Sequence, residues 1–243
     1  MATSTCHLTK ARASLLANRV IARASSDEVV AIEPEGATRR TRGVLGGRSE
    51  RVVERVLVAG VAELAESGYR AFRMDVVGTV AQVNKTTIYR RWPSKASLVT
   101  AAVESMRRFG HGVPLPDTGS LERDLAQAFK HKLSFKGRVE GRAWARLLSE
   151  KHDPEVASII GDTVSERSAA WYAMVTRAIG RGELPKGTDP KLLLGMLDAI
   201  VEAWNVRSQG RLKADLLEAA VQTIVAGARS GSLVRSKARP GNR

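Results

Sequence analysis

The residues between Gln82 and Lys95 leave room for one short helix between two tight connections. Asn84 is a good N-cap residue, because its side chain can accept a hydrogen bond from a free backbone amide in the first turn of a helix. Pro93 ends that helix, because the residue before a proline is pushed out of the α region. Ser94 can then cap a second helix that begins near Lys95.

This short helix carries the side chains that DNA binding requires. Residues 84–95 contain four basic side chains and no acidic one, together with small hydroxyl residues, a tyrosine and a tryptophan. Basic side chains suit phosphates, and short polar side chains suit the edges of bases in the major groove. The stretch therefore predicts a helix that enters the major groove.

The residues before it predict the other helices of a helix-turn-helix. Residues 48–67 carry an apolar stripe at helical spacing, with Ser49 as the expected cap, and residues 74–81 form a second, short helix. The three residues 82–84 then make a tight turn, which is the helix-turn-helix arrangement. We expect Val77, Val83 and Ile88 to lie in the core, and Trp92 to pack the third helix against the fourth.

The remainder of the chain also reads as helical. Gly110 to Gly119 contains two prolines and is the best candidate for a domain boundary. Ser120, Asp153 and Asp189 are the expected caps of later helices. The sequence shows no convincing strand and predicts an all-α fold of about nine helices. The helices expected after Pro93 span residues 95–109, 120–134, 138–151, 154–180, 190–209 and 212–229.

The charge balance favours a polyanionic partner. The formal net charge is +14, and nucleic acid is the polyanion that such a balance most often serves, although flexible basic tails would give the same number. Cys6 is the single cysteine, so no intramolecular disulfide can form, which fits a reducing, cytoplasmic compartment. The sequence has no apolar run of the ~18 residues that a membrane span needs.

Both ends of the chain read as tails. Residues 1–47 are expected to be a disordered basic extension, and residues 231–243 a disordered basic tail. The Arg-, Ser- and Ala-rich composition of residues 1–26 is also weakly similar to an organellar transit peptide. The sequence does not decide whether residues 1–47 belong to the native protein.

With these residues in view, Arg48 to Met106 resembles the N-terminal domain of TetR-family transcriptional regulators. The similarity requires no gap and is strongest in the hydroxyl-rich helix that is followed by tyrosine, two residues, an aromatic residue and Pro-Ser-Lys. The matching residues are Val56-Leu57, Ala59, Leu64 to Tyr69, Val76-Val77, Val83 to Lys95, and Leu98.

Three departures from the family pattern stand out. Gln82 occupies the position of the usual turn glycine, so a non-glycine residue has to adopt left-handed geometry or the turn has to shift. Gly78 and Thr79 replace alanines of the second helix, and the glycine weakens that helix by up to about 1 kcal/mol. Arg73 stands where a Thr or Ser often contacts phosphate, and an arginine can make a stronger contact.

The resemblance implies a division of the chain into parts. A three-helix DNA-binding domain with its connecting helix would span residues 48–109, and a helical domain for effector binding and dimerisation would span residues 118–230. The implied function is a regulator, in most cases a repressor, that leaves an inverted-repeat operator when a small molecule binds. The implied partners are double-stranded operator DNA and a second copy of the chain, held through the last two helices. The alternatives are an enzyme, or an architectural DNA-binding protein, that uses the helix-turn-helix only for targeting.

Two sets of site residues follow. The expected DNA contacts are Arg73, Asn84, Lys85, Thr86, Thr87, Tyr89, Arg90, Arg91, Ser94 and Lys95. The candidates to line a pocket for an apolar or aromatic effector are Trp144, Leu148, Ile160, Trp171, Met174, Met196 and Trp204. Aromatic residues and methionines at helical spacing are more often plain core.

The sequence offers little support for catalysis or for a bound metal. His131, His152 and Asp153 are too few and too dispersed to predict a zinc site. No catalytic triad, paired carboxylates or phosphate-binding glycine loop has the required spacing. We therefore expect no metal, no cofactor and no enzymatic activity.

Overall fold

The structure is a computed structural model, and it describes residues 47–107, 114–209 and 212–234. These residues form nine helices, so the predicted all-α class and helix order are confirmed. An isolated β-bridge joins Thr188 to Val234. The helices are α1 (Gly47–Ser67), α2 (Met74–Ala81), α3 (Lys85–Arg91), α4 (Lys95–Met106), α5 (Leu121–Lys136), α6 (Val139–Ser149), α7 (Pro154–Gly180), α8 (Pro190–Arg207) and α9 (Ala214–Arg229).

The two predicted tails lie almost wholly outside the described residues. Within the described part, Gly47 already belongs to α1, and residues 231–234 form a packed turn. Leu233 is buried, and its carbonyl accepts a hydrogen bond from the Asp189 amide at 3.0 Å. The ordered chain therefore continues past residue 230, because an apolar side chain anchors it.

Packing divides the chain into two compact units. Among the described residues, unit 1 contains 47–107 and 139–160, and unit 2 contains 114–138 and 161–234. The break expected between residues 110 and 119 coincides with a change of unit. Residues 139–160 return to unit 1, because α6 packs along α1. The predicted range 118–230 therefore stays a prediction about function and is not one packing unit.

The core of unit 1 forms where α1 packs against α2, α4 and α6. Val56, Leu64, Val77 and Leu98 are each fully buried there. Tyr69 and Phe72 are buried beneath the turn that follows α1. The predicted cap Ser49 is wrong, because α1 already begins at Gly47 and Ser49 lies inside the helix.

A carboxylate from the end of α6 holds the turn between α1 and α2. Glu150 Oε1 accepts a hydrogen bond from the Tyr69 amide at 3.1 Å, and Oε2 accepts one from the Arg70 amide at 2.9 Å. Gly68 precedes these amides with a φ of +70°, and a Cβ added there would lie 2.2 Å from Glu150 Oε1. The turn and the end of α6 are thereby fixed to each other.

Unit 2 is built around α9, which packs against α5 and α8. Its core contains Leu125, Phe129, Met174, Leu197 and Val225. The Asp189 side chain caps α8 as predicted, because Oδ1 accepts hydrogen bonds from the amides of residues 191 and 192.

The helix α5 is capped differently from the prediction. Ser120 occupies its N-cap position but makes no side-chain cap. The Leu121 amide instead donates to Glu183 Oε2 at 2.8 Å. A carboxylate more than sixty residues away in the chain thus replaces the expected local serine cap.

We expect Gly68→Ala to destabilise unit 1 by more than the strain of placing an alanine at positive φ. Gly182 is the matched control, because its φ is +79° and nothing lies within 4 Å of an added Cβ. Gly182→Ala should cost about 1–2 kcal/mol from left-handed geometry alone. Gly68→Ala should cost roughly 3 kcal/mol or more, because it also displaces Glu150 from two backbone amides.

Urea unfolding at fixed protein concentration, with hydrogen exchange to assign each loss to its unit, measures the difference. Equal losses for the two variants would contradict this account of the Gly68 turn.

Candidate nucleic-acid interface

Local hydrogen bonds fix both ends of α3. Asn84 Oδ1 accepts a hydrogen bond from the Thr86 amide at 3.0 Å, which confirms the predicted cap. At the other end, α3 stops at Arg91, two residues before the proline. Ser94 then begins α4 with a reciprocal capping box, in which each side chain of Ser94 and Ser97 accepts from the other residue's amide. The helix therefore has a defined length and position.

The turn between α2 and α3 has left-handed geometry, one of the two alternatives expected for a non-glycine residue at this position. Gln82 has φ 54° and ψ 46°, although it is not a glycine. Its amide and that of Val83 donate to carbonyls near the end of α2. Glycine is used at Gly78 instead, where an added Cβ would lie 3.2 Å from both Ile88 Cδ1 and the Val83 carbonyl. The residue that weakens α2 as a helix also lets α3 pack closely against it.

One face of α3 is buried in unit 1. Ile88 and Trp92 are 1% and 7% exposed, as predicted for residues that pack the helix in place. Val83, which was expected in the core, is only half-buried. Together with Thr87 it lines a groove of about 230 Å³ beside α1. The turn residue thus lies at the edge of the core, because it is on the connection and not on the helix.

The opposite face of α3 is open to solvent. Lys85, Thr86, Tyr89 and Arg90 are exposed, and Tyr89 is 47% exposed despite its aromatic ring. None of these four side chains makes a hydrogen bond or a salt bridge with any described residue. Thr87 lies at the border and is half-buried. The face therefore offers charge, hydroxyl groups and a ring to an external partner.

Several other predicted contact residues already have partners inside the protein. The side chains of Asn84 and Ser94 serve as helix caps. The Lys95 ammonium lies 3.9 Å from the centroid of the Tyr69 ring, and the Arg91 guanidinium lies 5.7 Å from that of Trp92. Such cation–π contacts orient the charged groups without neutralising them.

Arg73 is the most strongly engaged of the predicted contacts. Its Nε donates to Asp75 Oδ1 at 3.1 Å, and its Nη2 donates to Oδ2 at 2.6 Å. This pairing lowers the pKa of the Asp75 carboxyl, and the charge of Lys85 lowers it further. The sequence alone shows Asp75 only as an acid in the first turn of α2. Its two-residue distance from Arg73 was the available signal for the pair.

The candidate pocket residues do not fall into one packing unit. Trp144 and Ile160 are buried in unit 1, and Leu148 is half-buried there. In unit 2, Met174 is fully buried in the core, whereas Met196 is 41% exposed on α8.

The remaining two candidates also lie in unit 2. Trp171 packs edge-on against Phe129, with 5.1 Å between the ring centroids. Trp204 is half-buried. Their role in ligand binding remains a prediction.

The described residues contain no group of three potential metal ligands. The Asp153 carboxylate, which was weighed as a ligand, caps α7 by accepting from the Glu155 amide at 3.0 Å. Within the same residues, none of the helices is both long and apolar enough to cross a membrane.

Comparison with known sequences identifies the family. Residues 56–102 match the profile "Bacterial regulatory proteins, tetR family", and residues 115–224 match "Tetracyclin repressor-like, C-terminal domain". The HTH-type transcriptional regulator AqdR of Rhodococcus erythropolis is 31% identical over 181 residues, which cover 74% of this chain and 86% of that protein. The chain belongs to the TetR family. It is therefore a DNA-binding transcriptional regulator.

Another relative is similar in sequence, and two solved structures are similar in fold. The DNA-binding transcriptional repressor TetR of Mycobacteroides abscessus is 28% identical over 163 residues, or 63% of this chain and 82% of that protein. A TetR regulator from Chloroflexus aurantiacus has the same fold, with a TM-score of 0.59, 21% identity, and coverage of 74% of this chain and 95% of that one. FadR of Bacillus subtilis, solved with stearoyl-CoA, has a TM-score of 0.57 and 20% identity, covering 73% of this chain and 98% of that one.

We expect Thr87→Ala and Tyr89→Ala to weaken DNA binding by about 10- to 100-fold each, since lost contacts of this kind cost about 1–3 kcal/mol. Tyr172→Ala is a matched control for Tyr89→Ala, because Tyr172 is an exposed tyrosine on α7, in unit 2. Gel-shift titration measures the affinity, and thermal melting checks that each variant is folded. Full retention of sequence-specific binding by both α3 variants would show that α3 is not the reading helix.

Proposed function

We propose that the protein is a homodimeric repressor that binds an inverted-repeat operator through α3 and leaves it when a small molecule binds. The observation that carries the proposal is the exposed face of α3, where the side chains of Lys85, Thr86, Tyr89 and Arg90 make no hydrogen bond or salt bridge with any described residue. A TetR-family relative, that of Mycobacteroides abscessus, is named a repressor, which supports this direction of regulation.

In the proposed reading surface, each type of side chain makes a different kind of contact with DNA. Lys85 and Arg90 contact phosphates, because their charge is exposed and not paired in an internal salt bridge. Thr86 and Thr87 are short enough to reach base edges from the first turn of a helix in the major groove. Tyr89 lies against the sugar–phosphate backbone, where its ring packs and its hydroxyl donates to a phosphate.

We propose that α8 and α9 carry the contact with a second copy. An open, largely apolar groove of about 480 Å³ between these helices is lined by Ala199, Ile200, Ala203, Trp204, Ala219, Ala220 and Thr223. Leu192, Met196 and Leu216 add exposed apolar surface, each at 41–42% exposure. Contiguous apolar surface of this kind is typical of an interface, and a two-fold contact buries the same face on both copies.

A dimer would also increase the sequence specificity of DNA binding. One seven-residue helix touches few bases, whereas two copies double the contacts. The two α3 helices would have to lie about 34–36 Å apart to enter successive major grooves. A small change in this separation would reduce operator affinity, which gives an effector a means of control.

The proposed effector is a small apolar or aromatic molecule. We propose residues 48–109 for DNA binding and residues 118–230 for effector binding and dimerisation. The tryptophans and methionines within residues 118–230 support an apolar or aromatic effector. The candidate contacts are those named from the sequence, from Trp144 to Trp204. Among them, Leu148, Trp171 and Trp204 retain partial exposure, so these three are the first to replace in a ligand screen.

Selection of DNA fragments bound by the purified protein tests the proposal. The expected result is recovery of one inverted repeat, whose complex weakens when salt rises because phosphate contacts release counterions. Fragments without a common sequence would refute a sequence-specific regulator. A single unrepeated half-site would refute the dimer while leaving the reading helix in place.

We expect Ala203→Arg to reduce both dimerisation and operator affinity, because it places a charge within an apolar contact. Ala157→Arg is the control, since Ala157 is an exposed alanine of α7 in unit 1 and belongs to neither α8 nor α9. Analytical ultracentrifugation measures the dimer, and gel-shift titration measures operator affinity. A dimer unaffected by Ala203→Arg would place the contact elsewhere.

A further inference from the structure

Asp75 is the only acidic residue between Arg73 and Lys95, a segment that contains five basic ones. The segment includes every residue predicted to contact DNA. A negative charge within a surface that meets phosphates opposes binding unless it has a particular use. The position and contacts of Asp75 indicate such a use.

The carboxylate occupies one whole edge of the Arg73 guanidinium. It accepts from Nε at 3.1 Å and from Nη2 at 2.6 Å, so both its oxygens are engaged. The side chains of Arg73 and Asp75 are 52% and 35% exposed, so a DNA phosphate can reach the pair. The field of Asp75 also acts on Lys85, at the start of α3. One carboxylate therefore neutralises the guanidinium of Arg73, a predicted phosphate ligand.

We propose that Asp75 determines specificity by restraining binding to DNA of arbitrary sequence. The proposal rests on the proposed function for the location of the reading surface. Binding to arbitrary DNA depends almost wholly on the number of phosphates that basic side chains neutralise. By pairing with Arg73, Asp75 removes one such contact from each copy of the chain.

Operator binding depends less on this contact. Base contacts from α3 do not involve Asp75, and the paired guanidinium points its remaining N–H groups in one fixed direction. Loss of Asp75 would add positive charge to the protein, which favours the operator complex. It would also leave the Arg73 guanidinium without a fixed orientation, which disfavours the complex, so the two effects offset each other. The ratio of operator affinity to random-sequence affinity should therefore fall.

A purely structural role for the pair predicts something different. Asp75 lies in the first turn of α2, where a negative charge stabilises the helix through its dipole. An exposed ion pair adds little stability by itself. If this were its whole role, replacing Asp75 would lower stability and would leave the salt dependence of DNA binding unchanged.

The test compares Asp75→Asn with the parent protein on the selected operator duplex and on a scrambled duplex of equal length, over a series of salt concentrations. We expect affinity for scrambled DNA to rise about three- to tenfold at moderate salt, with a slope of log affinity against log salt steeper by about 0.9 per reading head. Operator affinity should change by a smaller factor. Fluorescence anisotropy measures both duplexes.

Three further variants separate the causes. Asp162→Asn removes the same charge from an exposed position on α7 and should leave the slope unchanged. Asp75→Glu retains the charge and should keep most of the parent's preference for the operator. Arg73→Gln alone should lower scrambled-DNA affinity, because it leaves Asp75 as an unpaired negative charge, and adding it to Asp75→Asn should abolish the gain.

An unchanged or lower affinity of Asp75→Asn for scrambled DNA would overturn the proposal. So would a gain in Asp75→Asn that persists when Arg73→Gln is added. Asp75→Ser, a second neutral replacement, makes the same test if Asp75→Asn fails to fold. A parent protein that shows no preference for any selected sequence would refute the proposed function instead.

Discussion

The burial of Ile88 is the contact on which the proposed DNA-binding surface depends. The helix α3 has seven residues, and a helix this short is not stable alone in water. Its position is set by caps at both ends and by an inward face that packs closely over Gly78. Because that face is fixed, the opposite face of α3 is presented to solvent in one orientation. A reading surface of few residues needs this rigidity.

The basic residues near α3 are not equivalent, although they look alike in the sequence. Lys85 and Arg90 are exposed, whereas Arg91 and Lys95 lie over aromatic rings and Arg73 is held by a carboxylate. A strongly basic chain binds any DNA, so a regulator must limit that affinity as well as favour its operator. We propose that the partners of these basic side chains limit binding to arbitrary DNA more than binding to the operator.

Local sequence signals predicted the parts of the fold that are themselves local. The bounds of α2 and α7 and the Asn84 cap follow from neighbouring residues and are confirmed. For Gln82, the structure shows left-handed geometry, one of the two alternatives that the family pattern left open. The site candidates on α3 also came from local pattern and from the family resemblance. Their contacts with DNA remain predictions.

The missed features are contacts between residues far apart in the chain. Glu150 binds amides about eighty residues away, and Glu183 replaces Ser120 as the cap of α5. The packing of α6 along α1, which places residues 139–160 in unit 1, is of the same kind. No periodicity or capping rule encodes such pairings. The role of Gly78 was missed because its cost to α2 is local, whereas its benefit lies in the contact with α3.

Hydrogen exchange of the protein with and without its selected operator duplex tests the central claim most directly. We expect slower exchange across residues 73–95 in the complex, with the greatest slowing at the start of α3, because DNA would cover that surface. The turn at residues 68–70 should stay protected in both states, since Glu150 already binds its amides. Protection on DNA binding that leaves residues 85–91 unchanged would contradict the account.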